Sequence, residues 1–135
     1  MLDNYRKTVN IEAQTMVDMV RREILPAVER YTARLAADLT AKKAAVPAVS
    51  GRYESRLIEK LSGLTDQISD AADDLTEALA VYHQIDDVTE SAYMIRDTVL
   101  PKMEALRVPC DAAEACTAAE YWPFPTYSDL LFGVK

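Results

Sequence analysis

Residues 51–83 read GRYESRLIEKLSGLTDQISDAADDLTEALAVYH. Tyr53, Leu57, Leu61, Leu64, Ile68, Leu75, Leu79 and Tyr82 recur at steps that are multiples of a helical turn, and Ala71 and Ala72 fill the gap between Ile68 and Leu75. Such spacing keeps one apolar face in line and predicts an amphipathic helix over about 51–83. A helix of that length with a single apolar face needs other helices to cover it, so the fold is decided by what lies on either side.

Upstream, Val20, Ile24, Val28, Tyr31, Leu35 and Leu39 trace a second helical face within a run expected over about 4–45. Pro26 falls inside it and removes a backbone donor, but the apolar phase continues past it, so a kink is expected and not an end. The break comes at Val46-Pro47-Ala48-Val49-Ser50-Gly51, where Ser50 is placed to cap the helix that follows. Downstream, Asp87 followed by Glu90 matches a capping box and opens a third run, expected over about 88–121. Its face is Val88, Ala92, Ile95, Val99, Met103 and Leu106, continued in phase by Cys110 and Ala113 beyond Pro101 and Pro109. Pro109 leaves two outcomes open: one kinked helix, or a split with Asp111 and Glu114 capping a separate short piece.

Half of the 135 residues are hydrophobic, enough for one core, and only three are glycine, which favours long helices over a turn-rich β-fold. The expected fold class is all-α. The expected architecture is an antiparallel bundle of three long helices over 1–121, with a proline and aromatic tail over 122–135 that ends in a short helix. Charge suggests the order of neighbours. From Asp66 to Glu90 there are eight acidic residues and no lysine or arginine. Antiparallel turns put Asp66 level with Arg30 and Asp74 with Arg22 on one side. On the other they put Glu77 level with Arg96, Asp70 with Lys102 and Asp66 with Arg107. The acidic helix is thereby expected between two basic ones.

Several chemistries are disfavoured. A net charge of −7 speaks against nucleic acid as a partner. No stretch reaches the roughly 18 uninterrupted apolar residues of a membrane span, and the first residues lack the order of a signal peptide. Cys110 and Cys116 are spaced neither as a redox pair nor as half of a zinc site, so reduced thiols in a cytoplasmic chain are expected. Gly51, Gly63 and Gly133 stand alone, which leaves no phosphate-cradling loop. His83 with Asp86, Asp87 and Glu90 reads as the solvated end of a helix rather than a metal cluster, and Ala80 stands where a Glu-x-x-His pair needs its acid. A cysteine nucleophile needs a base, and His83 lies most of a long helix away from both thiols. No catalytic, cofactor-binding or metal-ligating residue is expected. Lys42, Lys43, Arg52, Arg56 and Lys60 form a basic end at the first hairpin, read either as a solvated tip or as a contact for an acidic surface of a partner subunit.

The tail differs in kind. Tyr121-Trp122-Pro123-Phe124-Pro125-Thr126-Tyr127 concentrates large aromatics in seven residues, with two prolines that forbid helix through Pro125. Thr126 and Asp129 match a second capping box, opening a short helix with Leu130, Leu131 and Phe132. So apolar a terminus is expected to dock. Trp122, Phe124, Tyr127, Leu131 and Phe132 are the candidate docking residues, either folded back on their own bundle or packed on another domain or subunit.

Residues 120–132, EYWPFPTYSDLLF, resemble the C-terminal signature of type III glutamine synthetases, and residues 7–19, KTVNIEAQTMVDM, resemble the segment that opens the final helical domain of that family. The patterns ILPAVERYT at 24–32 and VLPKMEALR at 99–107 are similar to family helices with internal prolines. Ser128 departs from the pattern, which leads one to expect glycine there, and Pro109 falls in a stretch expected as continuous helix. The resemblance implies a domain cut from a large subunit that makes glutamine from glutamate, ammonia and ATP with magnesium or manganese, and that assembles as a dodecamer. It also implies that the metal ligands and ATP contacts lie upstream, with the catalytic domain and neighbouring subunits as this chain's partners. Two other readings are kept: a free-standing helical adaptor that takes a partner helix in a groove, and a metal enzyme that needs an ion at His83.

Overall fold

Two Leu-Pro steps shape the first and third helical runs. A computed structural model of the chain describes residues 2–125, with the side chains of Leu2 and Asp3 left aside. Helix α1, Leu2–Met19, passes into a π-helical turn over Val20–Ile24 and continues as α2, Leu25–Ala45. Helix α3 is Arg52–Tyr82. Helix α4, Val88–Met94, passes through a second π turn over Ile95–Val99 into α5, Leu100–Cys116, and a 3-10 turn follows over Ala119–Tyr121. The described residues are helical with no strand.

The π turns are how the prolines are accommodated. In each, the backbone N–H of the leucine reaches back five residues, Leu25 to the Val20 carbonyl and Leu100 to that of Ile95. The α-helix restarts at that leucine, so Pro26 and Pro101 fall in a first turn, where a missing donor costs little. Where proline predicts a kink, the chain therefore inserts a wider turn. Pro109 does not split the third run: α5 runs through it, with its ring buried, and stops at Cys116. The sequence pattern carried that run to 121, but Thr117 and Ala118 adopt extended ψ of 134° and 139°.

Helix α3 packs against α2 on one side and α5 on the other. Leu61, Ile68 and Leu75 of α3 are fully buried, meeting Val20 and Val28 of the first run and Ile95, Val99 and Leu106 of the third in one core. Two stripe positions face solvent: Tyr53 is 71% exposed and Val88 45% exposed. Each sits in the first turn of its helix, and at the start of α3 the inward position belongs to Glu54, held by Lys42 of α2 across the hairpin.

Gly51 makes that hairpin possible. Its φ of 63° lies in the left-handed region, and a Cβ there would strike the side chain of Leu39. Gly51 is thus the cap residue of α3, while the Ser50 hydroxyl accepts from the Arg52 amide at 3.3 Å. At α4 the expected cap forms, with the Asp87 carboxylate accepting from the Glu90 amide at 2.8 Å.

The expected cross-helix charge pairs are mostly replaced by others. Arg21, not Arg22, reaches α3, meeting Asp73 at 2.8 Å, and Arg22 turns to Asp18 on its own run. Arg96 pairs with Asp97, and Arg107 with Glu104 and Asp111. Exposed pairs contribute only about 0 to 1 kcal/mol, so the buried stripe sets the register and the charges take whatever neighbour it leaves.

Candidate functional site

An apolar groove of about 470 Å³ runs between the first and third helical runs. Its walls are Ile11, Met16 and Met19 of α1, Val20 and Ile24 of the π turn, and Cys110 of α5, with Glu12, Asp111 and Glu114 along the rim. Ile11 is 62% exposed and Met19 37%, high values for residues set in a common depression.

The aromatic segment lies beside this groove. The 3-10 turn brings Tyr121 onto α2, where its ring meets Tyr31 at 5.2 Å between centroids and its hydroxyl accepts from Arg34 at 3.1 Å. Burial pushes the Tyr31 hydroxyl above the usual phenol range. Trp122 and Phe124 are half-buried against the main core, and both line the groove with Pro125. Of the candidate docking residues, the structure thus places Trp122 and Phe124 on their own bundle. Tyr127, Leu131 and Phe132, with the Thr126 and Asp129 capping box, lie outside the described residues.

Chemically the groove is quiet. Burial, with a smaller contribution from Asp111, pushes the Cys110 thiol up to about 11, so little thiolate exists near neutrality and the group is a poor nucleophile. Arg107 is held by Glu104 at 2.6 Å and Asp111 at 2.9 Å. The two cysteines are free thiols.

His83 faces α1 rather than the acids after it. Its Nε2 lies 2.9 Å from Asn10 Oδ1 and 3.2 Å from Gln14 Nε2. One nitrogen cannot serve both: protonated it donates to Asn10, and bare it accepts from Gln14. Among the described residues no three His, Cys, Asp or Glu side chains converge as a metal site. At the basic hairpin end, Arg52, Arg56 and Lys60 border a shallow depression with Tyr53 and Leu57, while Lys42 is taken by Glu54. No described helix is long and apolar enough to cross a membrane.

The N-terminal wall of the groove lies outside the apolar stripes read from the sequence. Ile11, Thr15 and Met19 follow one another at four-residue steps, a second face on α1 beside the buried one of Val9, Ala13 and Val17. That spacing was available in the sequence as a sign that α1 has two apolar sides.

The comparisons with known proteins fit this helical domain. Residues 1–43 match the family described as glutamine synthetase C-terminal domain. A glutamine synthetase of Bacteroides fragilis is 30% identical over 135 residues, covering 97% of this chain and 18% of that protein. The chain belongs with the C-terminal domains of glutamine synthetases. A glutamine synthetase of Butyrivibrio fibrisolvens is 27% identical over the whole chain, and a type-3 glutamine synthetase of Dictyostelium discoideum 24% identical over 98% of it. The chain spans 18% to 19% of the length of these relatives.

Proposed function

We propose that this chain is the accessory C-terminal domain of a type III glutamine synthetase, a helical body that makes contacts within the assembled enzyme and performs no chemical step. The observation that carries the reading is the reach of the similarity: it runs through all or nearly all of the chain yet falls on less than a fifth of each relative. One of those relatives bears the type-3 name, which supports the subclass. In this reading the parent joins ammonia to glutamate at the expense of ATP, with magnesium or manganese, in the cytoplasm, and is a dodecamer as the family resemblance implies. ATP and metal are held by the parent's other domains. The partners of this domain are the catalytic body and neighbouring subunits, with the basic hairpin end a candidate contact for an acidic surface.

The test uses the full-length parent with and without residues 1–135. Glutamine formation and assembly size by light scattering are measured together. Loss of the large assembly, with or without activity, is the expected result. An intact and fully active oligomer sinks the accessory-contact role. The adaptor reading draws on the groove alone, and predicts that the free chain captures an amphipathic helix with no effect of the deletion on the synthetase.

A further inference from the structure

We infer that the outer face of α3 pairs with the same face of a second copy of this chain, antiparallel and about a two-fold axis near Gln67. The proposal names a partner for the subunit contacts proposed above, and rests on that reading only in taking the chain as a contact domain. It starts from a second periodic stripe on α3, which runs beside the buried one and faces solvent. Its members recur at alternating steps of three and four from Tyr53 to Val81, so they hold one line along about 42 Å of helix. Charge is sorted along that line. Arg56 and Lys60 occupy its first third and Asp70, Asp74 and Glu77 its last, and all five are exposed. Gly63 and Gln67 stand between the two groups. Tyr53, 71% exposed, and Val81, 50% exposed, close the two ends.

Such a stripe is complementary to itself when reversed. An antiparallel copy centred on Gln67 sets Arg56 across from Glu77, Lys60 from Asp74 and Tyr53 from Val81, and each contact occurs twice, as a two-fold interface requires. A parallel copy would set like charges side by side. Two further observations show that the stripe is unused within the chain. Among the described residues, Arg56, Lys60, Asp70, Asp74 and Glu77 form no ion pair, although Lys102 borders the same shallow depression as Asp74 and Glu77. Glycine inside a helix is destabilising relative to alanine, yet no atom lies within 4 Å of where a Cβ on Gly63 would sit. The chain's own packing therefore does not require glycine there, whereas a facing helix can approach closely at that point. In this pairing the acidic surface that meets the basic hairpin end is the far end of another α3.

The experiment measures the mass of the 135-residue chain by sedimentation equilibrium up to about 1 mM, at low and at high salt, with helix content followed in parallel. A closed dimer is expected, and because its contacts are mostly exposed charges its dissociation constant should rise about tenfold between the two salts. The double variants Arg56→Glu/Lys60→Glu and Asp74→Lys/Glu77→Lys should each dimerise at least about tenfold more weakly, since like charges then face each other. Mixing the two restores a dimer, because each supplies the charges the other lacks. The fourfold exchange, which keeps the net charge of the unaltered chain, restores it as well. Gln67→Glu sets two carboxylates across the axis and should weaken the pair by about threefold.

A chain that stays monomeric at the highest concentration in low salt overturns the proposal. So do double variants that dimerise as the unaltered chain does, and a mixture of them that stays monomeric. Mass that climbs past two copies also overturns it, because that marks an open head-to-tail contact with no two-fold axis. If a double variant loses its helices, Gln67→Glu decides alone, and an unchanged dissociation constant there overturns the pairing. None of these readouts involves glutamine formation or the assembly of the parent, so their failure leaves the accessory role standing, and loss of that role leaves the mass measurements to decide the pairing.

Discussion

Gly51 shows how much one residue can hold. Its φ of 63° is open to glycine at no steric cost, and the space where a Cβ would sit is taken by Leu39. Gly51→Ala is expected to cost at least about 1–2 kcal/mol from the left-handed backbone alone, with the Leu39 clash adding to it. Urea unfolding checks this, and a midpoint equal to that of the parent chain contradicts the tight hairpin. Cys110 makes the opposite point, that a reactive group can be silenced by its place. Its thiol is raised from 9.0 to about 11 by burial, so folding favours the protonated form. The sign follows: this contribution is intact below about pH 9, and is lost as pH rises from there towards 11, where the unfolded chain ionises first. Stability should fall over that alkaline window, and Cys110→Ala should flatten the fall. In the native chain at pH 8, Cys116 should alkylate well before Cys110, because it alone is partly open to solvent.

The helices divide into what local chemistry announces and what packing decides. The start of α4 belongs to the first kind. Asp87 accepts from the Glu90 amide at 2.8 Å, as the Asp-x-x-Glu spacing predicts. Asp87→Ala is expected to cost about 1 kcal/mol, read as a lower urea midpoint with an unchanged slope, and Asp87→Asn to cost far less. The long apolar stripe of α3 was equally legible, because every turn from Leu61 to Tyr82 repeats the same instruction. The π turns belong to the second kind. Proline in a helix states that a hydrogen bond is missing, but a kink, a break and a widened turn all satisfy that statement. The choice at Val20–Ile24 and Ile95–Val99 keeps Val20, Ile24, Ile95 and Val99 buried on both sides of each step, a tertiary requirement no local pattern expresses. Exposed charges were a poor guide for the same reason: Arg22 and Arg107 found partners on their own helices. Trp122 and Phe124 could be recognised as residues that must dock, but the groove they line is shared with α1 and its π turn, about a hundred residues away in sequence.

At the scale of the whole molecule, stability is not spread evenly, because the three runs do not play equal parts. Helix α3 has a neighbour on both sides, and its Leu61, Ile68 and Leu75 are fully buried between them. Towards the start of α1 there is far less cover: among the residues whose burial is described, Val9 is the first buried one, and Tyr5 is 49% exposed. The turn after α3 is held by the Gln84 and Ile85 amides donating to the Val81 and Tyr82 carbonyls, while the side-chain contacts of His83 with Asn10 and Gln14 are exposed. Local opening follows the number of apolar neighbours that must be released, so the amides of 61–79 should exchange with deuterium only when the whole bundle unfolds. Residues 2–8 and the turn at 83–87 should exchange earlier, through fraying that leaves the core intact. Peptide-resolved hydrogen exchange in the native chain distinguishes the alternatives. If 61–79 exchanges as fast as the N-terminal turns of α1, then α3 is not the shared centre of the fold.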